Sequence, residues 1–274
     1  MANNTQQAIH RLKGVLKKHK ALAIAVSGGV DSMTLAAVSH DVLGHSSLVI
    51  HAQSPAVPAE ASERVREHAI RFGWSTRFVD AGEFDDEHYR ANPVNRCYYC
   101  KSNLYTRIQQ VWQGKVASGA NLDDLGDYRP GLLAASEKQI THPLIEAQID
   151  KPMVRAIAKH MGLELVHDLP AQPCLSSRIE TGIEIQADDL AFVHEMESYL
   201  TRKLGPGDIR CRITANGVRI EVDASLQEEN ALHWDAICQE VTSIIHLDNR
   251  VLAGFSHYSR GSAFLTDNVR IVHS

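Results

Sequence analysis

The sequence is poor in cysteine, in long apolar runs and in excess positive charge. Its 274 residues include five cysteines, too few and too widely spread to predict the disulfide framework of a small secreted protein. No apolar run approaches the length that a membrane span needs, and the polar residues 1–7 predict no secretory signal peptide. We therefore expect a cytoplasmic protein that does not act on a membrane.

The charge balance argues against a nucleic-acid partner. Lys and Arg total 28 against 33 Asp and Glu, which gives a formal net charge of −5. Proteins that bind nucleic acid need a basic surface, because most of their affinity comes from displacing counterions from phosphates. A small-molecule substrate is the expectation.

The sequence also lacks a Walker loop and a dinucleotide fingerprint, yet one short loop has the composition of an anion site. The loop is Ser27-Gly28-Gly29-Val30-Asp31-Ser32, between an apolar run (21–26) and a helical segment (33–43). Adjacent glycines let the backbone approach an anion, and the first helical turn directs N–H groups at it. Asp31 would repel a bare phosphate, so its presence indicates a bridging Mg²⁺. The alternative is a tight turn whose Ser and Asp cap the helix.

Strand-like and helical segments alternate through the first two thirds of the chain. Apolar strands are predicted at 21–26, 47–52, 74–79, 115–118 and 141–145, with helices between them. Such alternation predicts a Rossmann-like parallel sheet with right-handed crossovers. Open sheets of this kind bind ligands at the carboxyl ends of their strands, so Gln53 and Gly119 join the candidate nucleotide site. For the acidic loop that follows (Asp123, Asp124, Asp127), a solvated loop and a ligand or Mg²⁺ contact both remain open.

The C-terminal region has a different pattern. Helices are predicted at 188–203 and 226–245, and strands at 209–214, 218–222, 250–255 and 269–272. Asn216-Gly217 is a strong signal for a type I′ hairpin between two of these strands. We therefore predict two domains: a nucleotide-binding α/β domain (1–179) and a small α+β domain (180–274) for substrate binding or oligomerisation.

Three cysteines are candidates for a metal site. Cys97 and Cys100 are three residues apart, just ahead of a predicted helix (102–112), and Cys174 lies far along the chain. Two such thiolates can converge on one metal centre and a distant third can close it; three thiolates on a cubane cluster leave one iron open. A redox pair, two small core residues, or zinc held by three Cys and His167 are the alternatives. Cys211 and Cys238 are expected to be small core residues.

Several motifs together resemble one family. The glycine-rich loop is similar to that of the N-type ATP pyrophosphatases (the PP-loop superfamily). The whole set occurs in the order typical of LarE-type ATP-dependent sulfur transferases, in their three-cysteine variety: the loop, Cys97-Tyr98-Tyr99-Cys100-Lys101, Asp127-Tyr128-Arg129-Pro130-Gly131, Pro173-Cys174-Leu175-Ser176-Ser177-Arg178 and Ile209-Arg210-Cys211-Arg212.

The resemblance implies a reaction. ATP would be split between its α- and β-phosphates to adenylate a carboxylate of pyridinium-3,5-biscarboxylate mononucleotide, and sulfide would then displace AMP. The product is a thiocarboxylate on the way to the nickel-pincer nucleotide cofactor. A carboxylate is a poor electrophile, and the anhydride supplies the leaving group that it lacks. The resemblance also implies a sulfur donor and a homo-oligomer.

The resemblance also implies residue roles. Ser27, Gly28, Gly29, Val30, Asp31 and Ser32 would bind ATP, with Asp31 on Mg²⁺; Cys97, Cys100 and Cys174 would hold a [4Fe-4S] cluster and be catalytic. Arg178, Arg210, Arg212 and Glu197 would gather at the anionic substrate, for which guanidinium groups suit the phosphate and carboxylates. Surface ion pairs are the alternative for the arginines, and a solvated helix residue for Glu197. Lys101 would contact substrate phosphate or cap a helix.

Two stretches depart from the family pattern, at Ile179-Glu180-Thr181-Gly182 and at Gly254-Phe255-Ser256-His257-Tyr258-Ser259-Arg260-Gly261. Both are expected near the substrate, so they affect the choice of acceptor and not the use of ATP. Two other functions therefore stay open: an iron–sulfur-dependent tRNA thiolase of the same superfamily, and a non-catalytic iron–sulfur carrier or sensor regulated by ATP.

Overall fold

The chain forms two compact units. The structure, a computed structural model, describes residues 2–126, 129–170 and 173–259. The first unit comprises the described residues up to Asp86 and those from Asn95 to Pro173. The second comprises Glu87–Val94 and the described residues from Cys174 on. The predicted domains, 1–179 and 180–274, differ from these units at residues 87–94 and 174–179.

The helices and strands of the described residues follow in chain order. Up to residue 170 they are α1 (Ala2–Leu16), β1 (Leu22–Val26), α2 (Val30–Leu43), β2 (Ser47–Gln53), α3 (Ala59–Phe72), β3 (Ser75–Asp80), α4 (Glu87–Arg90), α5 (Arg96–Val111), β4 (Lys115–Ser118), α6 (Pro130–Glu137), α7 (Pro143–Glu146) and α8 (Lys151–His160). From residue 173 they are α9 (Ala187–Leu204), β5 (Ile209–Thr214), β6 (Gly217–Val222), α10 (Ala224–Glu229), α11 (Trp234–Leu247) and β7 (Leu252–His257). Short 3-10 helices span Gly44–Ser46, Glu83–Asp85, Leu122–Gly126 and Leu175–Arg178.

The described part of the first unit is built on a parallel sheet, which confirms the predicted α/β class. Its four strands lie in the order β3-β2-β1-β4 and every neighbouring pair is parallel. Leu22, Ala23 and Ile24 of β1 are fully buried, as expected for a strand covered on both faces by helices. The chain leaves β1 for β2 on one side and returns to β4 on the other. The carboxyl ends of β1 and β4 therefore form a topological switch point, the position where open α/β sheets bind ligands.

Helix ends in the first unit follow from local chemistry. The carboxylate of Asp150 accepts the N–H of Met153 at 2.9 Å and caps α8. The C-terminal end of α3 is at Gly73, whose φ of +67° is the left-handed conformation that glycine adopts without strain. These caps fix the lengths of the helices that cover the sheet.

The second unit has a small sheet of its own. Within the described residues it has three strands in the order β5-β6-β7, with β5 and β6 antiparallel and β6 and β7 parallel. The predicted hairpin between β5 and β6 is confirmed, but the predicted type I′ turn is wrong: it needs a positive φ at both central residues, and of Asn216 and Gly217 only Gly217 has one, at φ +113°. Helix α9 packs on β5 through its buried residues, among them Leu190, Val193 and Leu200.

Some predicted elements are wrong. In place of a strand at 141–145, only Thr141 bridges to Ala117, and α7 begins at Pro143, which cannot donate to a strand ladder but suits a first helical turn. The predicted helix 226–245 is two helices, because the Asn230 amide donates to the Leu226 carbonyl at 2.8 Å and competes with the helix backbone.

Two predicted helices begin earlier than expected: α2 begins at Val30 and α5 at Arg96. The predicted strand 269–272 lies outside the described residues. In the described ranges, none of the helices combines the length and the apolar character that crossing a membrane requires.

Candidate functional site

The candidate nucleotide loop lies at the switch point, between the end of β1 and the start of α2. Gly28 has a φ of +83°, and a Cβ there would lie 2.7 Å from the backbone carbonyl oxygen of Ala61 in α3. Only glycine allows this backbone conformation and this close approach together. Gly28 is therefore required by the fold itself, whether or not the loop binds an anion.

The serine hydroxyls of the loop shape its backbone. Ser32 Oγ donates to the carbonyl of Gly29 at 3.2 Å and accepts the N–H of Ser27 at 3.1 Å. Ser27 Oγ accepts the N–H of Gly29 at 3.3 Å and lies 3.2 Å from Ser32 Oγ. The first backbone bond of α2 runs from Met33 N–H to the Gly29 carbonyl, so the N–H groups of residues 30–32 precede the helical ladder. Such a helix start suits a bound anion.

Asp31 is the acidic centre of this site. Its Oδ2 forms an ion pair with the ammonium of Lys151, at the start of α8, and its Oδ1 accepts the side-chain N–H of Asn121 at 3.1 Å. The Asp31 and Lys151 side chains keep 26% and 33% of their accessible surface, so solvent reaches both. Each carboxylate oxygen has a second lone pair, so the donor set of Asp31 fits Mg²⁺, which prefers carboxylates and water.

The loop after β4 closes the site from the other side. A Cβ on Gly119 would lie 2.7 Å from the backbone nitrogen of Ser32, so the two loops meet at van der Waals distance. Asp123 and Asp124 bind backbone: Asp123 Oδ2 accepts the N–H of Lys151 at 3.1 Å, and Asp124 Oδ2 accepts that of Asn121 at 3.0 Å. Asp127 lies outside the described residues. Gln53 is exposed at the end of β2, on the same sheet edge.

Sequence reasoning missed several side chains at this edge. They are His51, Arg64, Asn121, His142 and Lys151. His142 bonds Ser118 Oγ at 2.9 Å through Nδ1, and burial lowers its pKa. Asn121 follows a predicted strand end, so its position at the edge could have been found from topology alone, whereas nothing in the sequence around Lys151 marks it as a partner of the loop. Arg64 lies inside an amphipathic helix with no distinguishing pattern.

Cys97 and Cys100 lie in the first two turns of α5. Side chains three apart in a helix share a face, and the positive end of the helix favours thiolates. Cys97 is exposed and Cys100 half-buried. A Cβ on Gly131, at the start of α6, would lie 3.0 Å from Cγ of Lys101, so α6 packs against α5 beside the pair. Tyr98 donates to Glu137 at 2.7 Å, and this hydrogen bond raises the pKa of Tyr98.

Cys174 belongs to the second unit, where it is exposed at the start of the 3-10 helix Leu175–Arg178. Its carbonyl accepts the N–H of Ser177 at 3.0 Å, and the neighbouring Ser176 hydroxyl lies 2.6 Å from that of Tyr89. In the described part of either unit taken by itself, no three His, Cys, Asp or Glu side chains gather as metal ligands. Because its ligands come from two units, the three-cysteine cluster stays a prediction.

The second unit brings most of the predicted substrate residues together. Arg178 Nε and Nη2 each donate to one oxygen of Glu197 at 2.9 Å, and Oε1 of Glu197 also accepts the N–H of Cys211 at 3.0 Å. Arg212 donates to Glu221 at 2.7 Å and to the Ser177 carbonyl at 3.1 Å. Burial acts to lower the pKa of Arg178, but the hydrogen bonds to Glu197 outweigh it and the pKa is raised.

Arg210 lies at the edge of this cluster. It donates to Asp208 at 3.0 Å, and its guanidinium lies 5.1 Å from the ring centre of Tyr258, within the stretch that departs from the family pattern. Cys211 is fully buried, as expected for a core residue, and burial raises its thiol pKa well above the ordinary value. Cys238 is half-buried. Buried ion pairs thus account for Arg178 and Arg212 in this structure, and both remain candidates for binding an anion.

The chain is similar in sequence to several known proteins. The chain is 31% identical over 238 residues to pyridinium-3,5-bisthiocarboxylic acid mononucleotide synthase of Lactiplantibacillus plantarum, a match that covers 85% of this chain and 86% of that protein. It is 44% identical over 203 residues to an uncharacterised protein of Synechocystis sp. (73% and 75% covered). It is 29% identical over 225 residues to an uncharacterised protein of Methanocaldococcus jannaschii (80% and 85% covered). No family model matches the chain.

Proposed function

This chain belongs to the family of pyridinium-3,5-bisthiocarboxylic acid mononucleotide synthases, the LarE type, and from that premise we propose that it is an ATP-dependent sulfur transferase. Its acceptor is a pyridinium nucleotide carboxylate, and its product is a thiocarboxylate for the nickel-pincer cofactor. The observation that carries the proposal is the match over 85% of the chain to a synthase of that name. The glycine-rich loop at the switch point supports it, because the reaction needs an ATP site.

The first step activates the carboxylate. A carboxylate oxygen of the acceptor attacks the α-phosphorus of ATP, the bond to the bridging oxygen breaks, and pyrophosphate leaves with that oxygen. Backbone N–H groups at the start of α2 would bind the phosphates, and Asp31 would hold Mg²⁺. Lys151 lies beside Asp31, so its ammonium can balance the charge of the departing pyrophosphate.

The second step exchanges AMP for sulfur. Sulfide attacks the activated carbonyl carbon, the bond to the adenylate oxygen breaks, and AMP leaves. Cys97, Cys100 and Cys174 would hold a [4Fe-4S] cluster, and their fit rests on two thiols that share one helix face and on a third that is exposed. When bound, such a cluster supplies an iron without a protein ligand that can carry sulfide, which spares the protein a cysteine at each turnover.

The cluster of arginines in the second unit would bind the acceptor. The nucleotide carries a phosphate and two carboxylates, and guanidinium groups bind such anions through paired hydrogen bonds. Arg178 and Arg212 are held in fixed positions by Glu197 and Glu221, which reduces the entropy lost when an anion binds. Arg210 and Lys101 are the other proposed contacts. An exogenous sulfur donor and a homo-oligomeric cytoplasmic enzyme complete the proposal.

Pyrophosphate release tests the proposal. Wild-type protein with ATP and Mg²⁺ is expected to release pyrophosphate only when pyridinium-3,5-biscarboxylate mononucleotide is added, and Asp31→Asn is expected to release far less. An iron–sulfur carrier or sensor would release none. Release that requires tRNA in place of the nucleotide would contradict the proposed acceptor.

A further inference from the structure

One side of the nucleotide loop is held by two side chains that the reaction above does not use. The carbonyl of Val26, the last residue of β1, accepts a hydrogen bond from His51 Nδ1 at 2.8 Å. Two residues on, the carbonyl of Gly28 accepts one from Arg64 Nη1 at 2.8 Å. Val26 and Gly28 alternate with Ser27 and Gly29, so these bonds fix every second peptide group of the turn.

Because a peptide group is planar, fixing its carbonyl also fixes the direction of its N–H group. In a trans peptide the carbonyl and the N–H of the next residue point in opposite directions. Fixing the carbonyls of Val26 and Gly28 therefore directs the N–H groups of Ser27 and Gly29 to the other side. There the two N–H groups meet the Ser32 and Ser27 hydroxyls, at 3.1 Å and 3.3 Å, on the side where α2 begins.

The Gly28-Gly29 peptide is the one that needs such control. Without Cβ atoms on either side, this peptide can rotate with little steric cost. A rotated peptide would turn the Gly28 carbonyl oxygen towards the phosphates and repel them. We propose that Arg64 and His51 are positioning residues for ATP, which keep the loop carbonyls turned away from the phosphates. The inference rests on the proposed use of ATP by this loop.

His51 is built for this role. It is fully buried in β2 and joins β1 to α3, because its Nε2 lies 2.9 Å from the hydroxyl of Ser62. With Nδ1 donating to a carbonyl, Nε2 of the neutral ring accepts from that hydroxyl. Burial lowers the pKa of His51, which keeps the ring in this neutral form. Ala61, Ser62 and Arg64 thus make α3 the support of the loop.

Nucleotide affinity tests the role. Arg64→Met keeps the aliphatic stem and removes the donor, and Arg71→Met, near the end of the same helix, is the matched control. Calorimetry with Mg²⁺·ATP is expected to show about tenfold weaker binding for Arg64→Met and wild-type affinity for the control. Adenosine, which has no phosphates, is expected to bind wild type and Arg64→Met equally. Arg64→Lys is expected to restore part of the ATP affinity, because an ammonium still donates.

Other results would overturn the inference. Unchanged ATP affinity in Arg64→Met removes the role, and an equal loss for ATP and adenosine means that Arg64 only supports the fold. If Arg64→Met does not fold, Ser62→Ala tests the role instead, since it removes the second hydrogen bond of His51 without touching the loop. This variant is expected to bind ATP about threefold more weakly and adenosine as wild type does. Unchanged ATP affinity would refute the role. A wild-type protein that binds adenosine but not ATP would instead overturn the proposed function.

Discussion

Replacing Gly28 by alanine tests whether the loop geometry is what the structure shows. Two costs are expected. An alanine at φ +83° is strained by about 1–2 kcal/mol, and a Cβ 2.7 Å from the Ala61 carbonyl oxygen forces a backbone shift worth about 1–3 kcal/mol. The free energy of unfolding of the first unit should therefore fall by about 2–5 kcal/mol.

Gly73→Ala provides a matched control. Gly73 has a φ of +67°, and a Cβ there would meet no atom within 4 Å, so this variant carries the backbone strain without the contact. Both variants gain the same small benefit from a stiffer unfolded chain. The difference between them, about 1–3 kcal/mol, isolates the contact with Ala61.

Thermal unfolding and ATP binding are the measurements. Gly28→Ala should melt several degrees below Gly73→Ala, since about 1 kcal/mol shifts Tm by about 2–4 °C in a unit of this size. It should also bind ATP more weakly, while Gly73→Ala should bind as wild type does. Equal Tm values for the two variants would refute the close approach of the loop to α3.

Three further predictions concern other parts of the molecule. Cys174→Ala should abolish sulfur transfer and spare adenylate formation, read by product analysis; loss of both would mean a structural role. Arg178→Met leaves Glu197 buried without its cation, so the free energy of unfolding, measured in urea, should fall by about 3–5 kcal/mol. The control Arg66→Met, which breaks an exposed pair with Glu63, should lower it by under about 1 kcal/mol. Equal losses would contradict the buried pair. Burial lowers the pKa of His51, His68 and His142 below the ordinary 6.5. Because the unfolded state then takes up protons first as the pH drops, the free energy of unfolding should fall below about pH 6.5. The same free energy, measured by urea unfolding, at pH values from about 7.5 to about 5.5 would contradict this.

Local chemistry made much of the fold predictable. The apolar run before Ser27 and the hairpin signal at Asn216-Gly217 each specify structure within a few residues, and the structure has the strand and the hairpin that they predict. Two of the errors share a cause, because each predicted element runs across a residue whose local chemistry ends or begins a helix. Pro143 begins a helix where a strand was expected, and Asn230 ends one that was expected to continue.

The candidate site was less predictable than the fold. The loop itself was evident because its glycines and serines are adjacent in sequence. The partners of the loop were not, since Lys151 reaches Asp31 from 120 residues away and Arg64 reaches Gly28 from another helix. A single lysine or arginine at such a position carries no periodicity or spacing that a pattern could detect. For Arg178 and Arg212 the sequence suggests only surface ion pairs as the alternative to substrate binding, whereas the structure pairs both with carboxylates in buried positions.

Sulfur transfer to the pyridinium nucleotide is tested most directly by mass spectrometry of the acceptor. Wild-type protein, purified without oxygen, is incubated with ATP, Mg²⁺, a sulfide source and pyridinium-3,5-biscarboxylate mononucleotide. The expected product has one carboxylate oxygen replaced by sulfur, in proportion to the AMP and pyrophosphate formed. AMP and pyrophosphate without any sulfur-containing nucleotide, or an unchanged acceptor and unspent ATP, would contradict the assignment.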